Sequence, residues 1–108
     1  MPNASDFRRI VLGMEGAIES AHMGHPDFRV NGRIFATLQH DPQWAMVSLT
    51  PEQQARFLRE DRAFAPAAGA WGRSGSTLVD LQTVDEETLG EAATLAWRNA
   101  VNRPRKRR

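Results

Sequence analysis

Two alternating runs meet at Asn31-Gly32, and that dipeptide constrains the fold of this chain more than any other feature. Phe28-Arg29-Val30 precedes it and Arg33-Ile34-Phe35-Ala36-Thr37-Leu38 follows it, the pattern of two strands closed by a two-residue turn. Asn and Gly both tolerate positive φ, which a type I′ turn requires at both central positions, so the pairing register is set locally. Strict alternation puts Ile34, Ala36 and Leu38 on one face and Phe35, Thr37 and Gln39 on the other, with one face packed against helices.

The flanking segments supply those helices and further strands. Ser5 reads as an N-cap, and Phe7, Ile10, Val11 and Met14 follow at helical spacing, which predicts a helix over Asp6 to about Met14. Ala17 to His22 reads as a short strand, and Met23-Gly24-His25-Pro26-Asp27 as a turn. Trp44 to Leu49 alternates Ala45, Val47 and Leu49 against Trp44, Met46 and Ser48, again a strand. Thr50-Pro51-Glu52-Gln53 is a helix start: Thr at the N-cap, Pro at the first helical position and Gln53 closing a capping box.

That helix runs to about Asp61 with Ala55 and Leu58 inward and Phe57 beside them. Arg56, Arg59 and Arg62 alternate with Glu52, Glu60 and Asp61, which reads as a solvated mixed-charge face. Ala63 to Gly75, rich in Ala, Pro and Gly, reads as a loop with a short extended piece around Phe64. Ser76 to Leu81 is a strand with Thr77, Val79 and Leu81 on one side. Asp85 caps the last helix, where Leu89, Ala92, Ala93, Ala96, Trp97, Ala100 and Val101 form a sustained apolar stripe.

The 108 residues are enough for one core and contain no cysteine, so the fold stands without disulfides or thiolate chemistry. The N-terminus lacks an apolar stretch of signal-peptide length and no run approaches the roughly 20 apolar residues of a membrane span, so the chain reads as cytosolic. A net charge of +1 conceals an asymmetry: residues 1–102 hold nine arginines against 13 acids, a balance of −4. Arg103, Arg105, Lys106, Arg107 and Arg108 supply +5 beyond it. Pro104 stops the last helix, so residues 103–108 are expected to form a mobile basic tail on a 1–102 domain. Five cations in six residues attract any polyanion, and the same tail also serves solubility.

Sites of chemistry are sparse. His22 and His25, with His40 or Asp41, do not complete a metal-ligand set and read as turn and surface residues. No serine sits in a nucleophile elbow, and Gly69-Ala70-Trp71-Gly72-Arg73-Ser74-Gly75 lacks the Gly-Lys-Ser/Thr ending of a phosphate loop. Trp71 either closes the sheet as core, the preferred reading, or stands out as a stacking surface. No cofactor is implied, and a non-enzymatic role is expected.

The order of these pieces resembles a known family. A helix, the Glu19-Ser20 strand, the Gly24-His25-Pro26 turn, the Phe28-to-Ala36 hairpin, the Leu49-to-Gln53 helix entry, the Ala67-to-Gly72 loop, a strand and a final helix are together similar to the MmcQ/YjbR family over about residues 5–102. Val47 and Ser48 stand where many relatives have a lysine, and Ala70 where many have a histidine before the loop tryptophan. The resemblance implies a single α+β domain, an antiparallel sheet packed with about three helices, related to the frataxin-like arrangement. These are small bacterial proteins commonly described as DNA-binding and likened to a double-wing domain, in which the sheet and hairpins face nucleic acid.

On that basis the expected partner is DNA, with no membrane association and a monomer or weak dimer. Candidate contacts are Arg29 and Arg33 beside the hairpin tip, Arg73 from the Trp71 loop, and Arg103, Arg105, Lys106, Arg107 and Arg108 from the tail. The alternative is a protein-interaction or small-ligand module whose binding surface is the apolar sheet face with Phe35, Trp44 and Met46.

Overall fold

The computed structural model describes residues 2–22 and 24–102. It is α+β: helix α1 (Ala4–Leu12), strands β1 (Ile18–His22), β2 (His25–Val30), β3 (Arg33–Leu38) and β4 (Trp44–Ser48), helix α2 (Pro51–Glu60), strand β5 (Phe64–Pro66), helix α3 (Gly69–Arg73), strand β6 (Ser76–Asp80) and helix α4 (Glu86–Asn102). The strands form one antiparallel sheet in the order β1-β2-β3-β4-β6-β5. The basic tail lies outside the described residues.

The β2–β3 hairpin turns as its sequence requires. Asn31 and Gly32 have φ of 54° and 76°, and Val30 pairs with Arg33 directly across them. Further along, strict alternation fails. Phe28 pairs with Ala36 but Arg29 pairs with Ile34, so Phe35 is an extra residue in a β-bulge. Phe35 and Ala36 are therefore both buried, while Ile34 turns to the opposite face with Thr37. This corrects the expected grouping of Ile34 with Ala36 and Leu38, and it removes Phe35 from the exposed face.

One face of the sheet carries the core. Phe28, Ala36, Leu38, Ala45 and Val47 pack beneath α4, whose Leu89, Ala92, Ala93, Ala96 and Ala100 are buried as the stripe predicts. α1 packs against α4 and sends Phe7 edge-on to Phe28 at 5.9 Å, a contact that contributes about 0.5–1.5 kcal/mol beyond its area. The α1 cap is Asn3 rather than Ser5: Asn3 and Asp6 form a reciprocal capping box. At the head of α4, the Thr88 backbone N–H donates to Asp85 at 2.7 Å and holds that carboxyl below its usual range. Its capping contribution is present above the unfolded-state pKa and is lost as pH falls through the folded one.

α2 closes the same layer. Its Thr50–Gln53 capping box forms as read from the sequence. Its buried side chain is Phe57, whose ring lies 4.8 Å from Phe64, whereas Ala55 and Leu58 face solvent. Arg56 pairs with Glu60 of its own helix and Glu91 of α4, a mixed-charge face. Among the described residues, no long helix covers the other face of the sheet. Trp44, Met46, Ser48 and Leu78 lie half-buried on it, and α3 borders it at one end. Among the described residues no helix is long and apolar enough to cross a membrane.

Candidate nucleic-acid interface

The end of the sheet bearing the Asn31-Gly32 turn gathers the segments of interest. The start of β3, the end of β4, the start of α2, the five-residue α3, the start of β6 and the last turn of α4 all meet there. Two cavities result. One, of about 550 Å³, lies on the open sheet face and is floored by Ile34, Thr37, Met46 and Leu78. The other, of about 830 Å³, runs round the sheet end past Arg33, Ser74, Arg98, Asn99 and Asn102. They share Ile34, Ser48, Trp71 and Ser76, so they form one groove that bends beneath Trp71.

Trp71 is 73% exposed, which overturns the preferred reading of it as core. The segment around it is also a short helix rather than a loop. Gln54 holds α3 in place by donating through Nε2 to the carbonyls of Gly72 and Ser76, at 3.1 and 3.0 Å, and to Thr77 Oγ1. The position of the exposed indole is therefore fixed from behind by a core-side amide.

Charge is arranged unevenly around this groove. The chain has 13 carboxylates, all within residues 1–102, yet none lines either cavity. Several arginines elsewhere are neutralised: Arg8 by Glu19, Arg9 by Asp6 and Glu86, Arg56 by Glu60 and Glu91. Arg73 and Arg98 form no ion pair among the described residues.

The candidate residues thus separate into four groups. Arg33 lines the groove, and Arg98, which sequence reading missed, joins it from α4. Arg73 is exposed on the same short helix as Trp71. Arg29 lies on the open face as the cross-strand neighbour of Ile34, but its guanidinium is bound side-on by Asp27 at 2.8 and 3.1 Å. That bond holds the Arg29 pKa above its ordinary value and compensates the charge. Arg103, Arg105, Lys106, Arg107 and Arg108 lie outside the described residues. Their point of attachment, Asn102, lines the groove. Trp44 and Met46 belong to the open face as expected.

Asp27 is fully buried, so its carboxylate depends on its partners. Asp27→Asn is expected to lower the unfolding free energy by about 2 kcal/mol, less than for a pair buried on both sides because the Arg29 side chain keeps 31% of its exposure. Urea titration of the variant beside the parent checks this. The His25 and His40 rings meet edge-on at 5.4 Å, and among the described residues no three metal-ligating side chains gather. The His22 side chain lies outside the described residues.

The family model for YjbR matches residues 12–99, from the end of α1 to the last turns of α4. The chain belongs to the YjbR family. The crystal structure of Deinococcus radiodurans protein DR2400, a DUF419 domain, superposes with a TM-score of 0.80 at 19% identity. The alignment covers 99% of this chain and 84% of that one. At that identity the likeness concerns the fold, and it bears out the α+β architecture with an antiparallel sheet packed with helices; among the described residues there are four, α3 being the one the sequence reading took for a loop. No curated protein matches the chain. Arg33, Trp71, Arg73 and Arg98 fall inside the matched YjbR span, whereas the five tail cations fall outside it.

Proposed function

We propose that this YjbR protein is a non-enzymatic nucleic-acid-binding domain, with DNA as its partner and the bent groove at the hairpin end as its contact surface. The observation that carries the reading is the absence of any acidic lining in that groove, on a body whose balance is −4. Negative charge placed elsewhere spares a phosphate that approaches the groove local repulsion. Arg73 and the exposed Trp71 stand at the bend, and five further cations follow Asn102 within six residues. Cations for phosphate and an aromatic face for bases are the two elements of nucleic-acid contact.

Fluorescence anisotropy with labelled 20-nucleotide DNA at low salt tests the reading. Binding that weakens linearly in log Kd against log salt is the expected result. A protein that leaves both single- and double-stranded DNA unbound at low salt is not a nucleic-acid-binding protein of this kind.

The apolar floor favours a second reading on its own observation. A cavity of about 550 Å³ has the size of a small-molecule site, and Ile34, Met46, Leu78 and Trp71 would hold an apolar ligand there. In that case the arginines at the bend would be incidental, and DNA would not compete with the ligand.

A further inference from the structure

We propose that the open-face part of the groove is a seat for unpaired nucleobases, so that the domain prefers single-stranded over duplex DNA. This rests on the nucleic-acid reading above and specifies which form of the polymer the site takes.

The argument begins with the floor. Thr37, Met46 and Leu78 are direct cross-strand partners on three adjacent strands, so their side chains form one row across the open face. Neighbouring strands lie about 4.8 Å apart, which makes that row about 10 Å wide, broad enough for an aromatic ring system to lie flat. Ile34 extends the apolar surface toward the bend, and Trp71 stands on its rim with most of its indole in solvent. The floor itself contains no cation. The arginines lining the groove, Arg33 and Arg98, sit round the bend in the second part.

That separation of functions discriminates between forms of DNA. A duplex presents phosphate rails and groove edges, with its base faces already stacked inside, so it has nothing to place on an apolar floor. Docking a duplex there would strip water from Met46, Leu78 and Ile34 only to set charged backbone against them. A single strand exposes base faces on one side and phosphates on the other. Its bases gain contact with the floor and with Trp71, while its backbone follows the groove round to the arginines. His25, Gln39 and Ser48 also line this part of the groove and carry polar side chains that can hydrogen-bond a base edge.

The test compares three ligands on the full-length protein at one salt concentration: a labelled 20-nucleotide single strand, the corresponding duplex, and a single strand of equal length whose central nucleotides are abasic. The base-bearing strand is expected to bind about tenfold more tightly than either of the others, and to quench tryptophan fluorescence. Trp71→Ala, checked for folding by circular dichroism, is expected to remove the difference, and Trp71→Phe to retain most of it. Trp71 is exposed, so neither change opens the core. Duplex or abasic DNA binding as tightly as the base-bearing strand overturns the base seat while leaving polyanion binding in place. An undiminished preference in Trp71→Ala also overturns it. No binding to any of the three overturns the underlying reading as well.

Discussion

Replacing Gly75 by alanine is expected to lower the unfolding free energy by about 3–5 kcal/mol, a large part of the stability of a domain this size. Two independent penalties meet at this position. Its φ of +113° is a conformation that L side chains rarely adopt, and a Cβ built there would lie 1.9 Å from the Leu49 carbonyl oxygen. The clash is with backbone at the junction of β4 and α2, where the Leu49 N–H donates to Gly75 O at 3.3 Å. Relief therefore requires moving either the α2 start or the α3 end, and both border the groove. Urea titration reads the effect as a lower midpoint at unchanged slope. Gly90→Ala in α4 is the matched control, since its Cβ would meet nothing within 4 Å; it is expected to stabilise by about 0.5–1 kcal/mol. A Gly75→Ala protein as stable as the parent would mean that the tight approach of β6 to Leu49 does not exist in solution.

Gly75 also illustrates what the sequence concealed. Features governed by neighbours in sequence were legible: the Asn31-Gly32 turn, the Thr50–Gln53 capping box, the Asp85 cap and the stripe of α4 all form where local chemistry places them. Features governed by distant backbone were not. The glycines of residues 69–75 read as loop composition, yet a Cβ at Gly72 would sit 1.9 Å from Ala67 O, so close packing rather than flexibility accounts for that glycine. The bulge at Phe35 has no local signal, because alternation continues through it in the sequence and only the shift in pairing to β2 reveals it. That shift sends Ile34 to the groove and Phe35 to the core.

The site was half legible for the same reason. Arg33 and Arg73 stand out beside a turn and a tryptophan, but Arg98 looks like any polar position on an amphipathic helix until the last turn of α4 is seen to meet β3. Arg29 had the same signal as Arg33 and a different fate. Its neighbour two residues back, Asp27, lies on the same face of the strand and binds it. A period-2 reading of Asp27-x-Arg29 would have revealed that pair. Trp71 misled because tryptophan is usually well buried, and its exposure depends on the support of α3 by Gln54 from another helix.

Deletion of residues 103–108 is expected to weaken single-stranded DNA binding by as much as about 10³-fold at 0.1 M salt while leaving the unfolding midpoint unchanged. Each cation that neutralises a phosphate on a single strand contributes about 0.7 to the slope of log affinity against log salt, so five engaged cations account for about 3.5. The midpoint is expected to hold because the buried stripe of α4 ends at Ala100, within the residues that the deletion keeps. What survives should come from the groove, with a shallower salt slope and the base preference intact, since the floor of Ile34, Met46 and Leu78 is untouched. Combining the deletion with Arg33→Glu and Arg98→Glu should then remove measurable binding, because the reversed charges put carboxylates into a groove that otherwise has none. The affinity of the truncated protein measured across a salt series separates the two contributions. A slope unchanged by the deletion would show that the tail does not engage DNA, and the groove arginines alone would have to carry the electrostatic attraction.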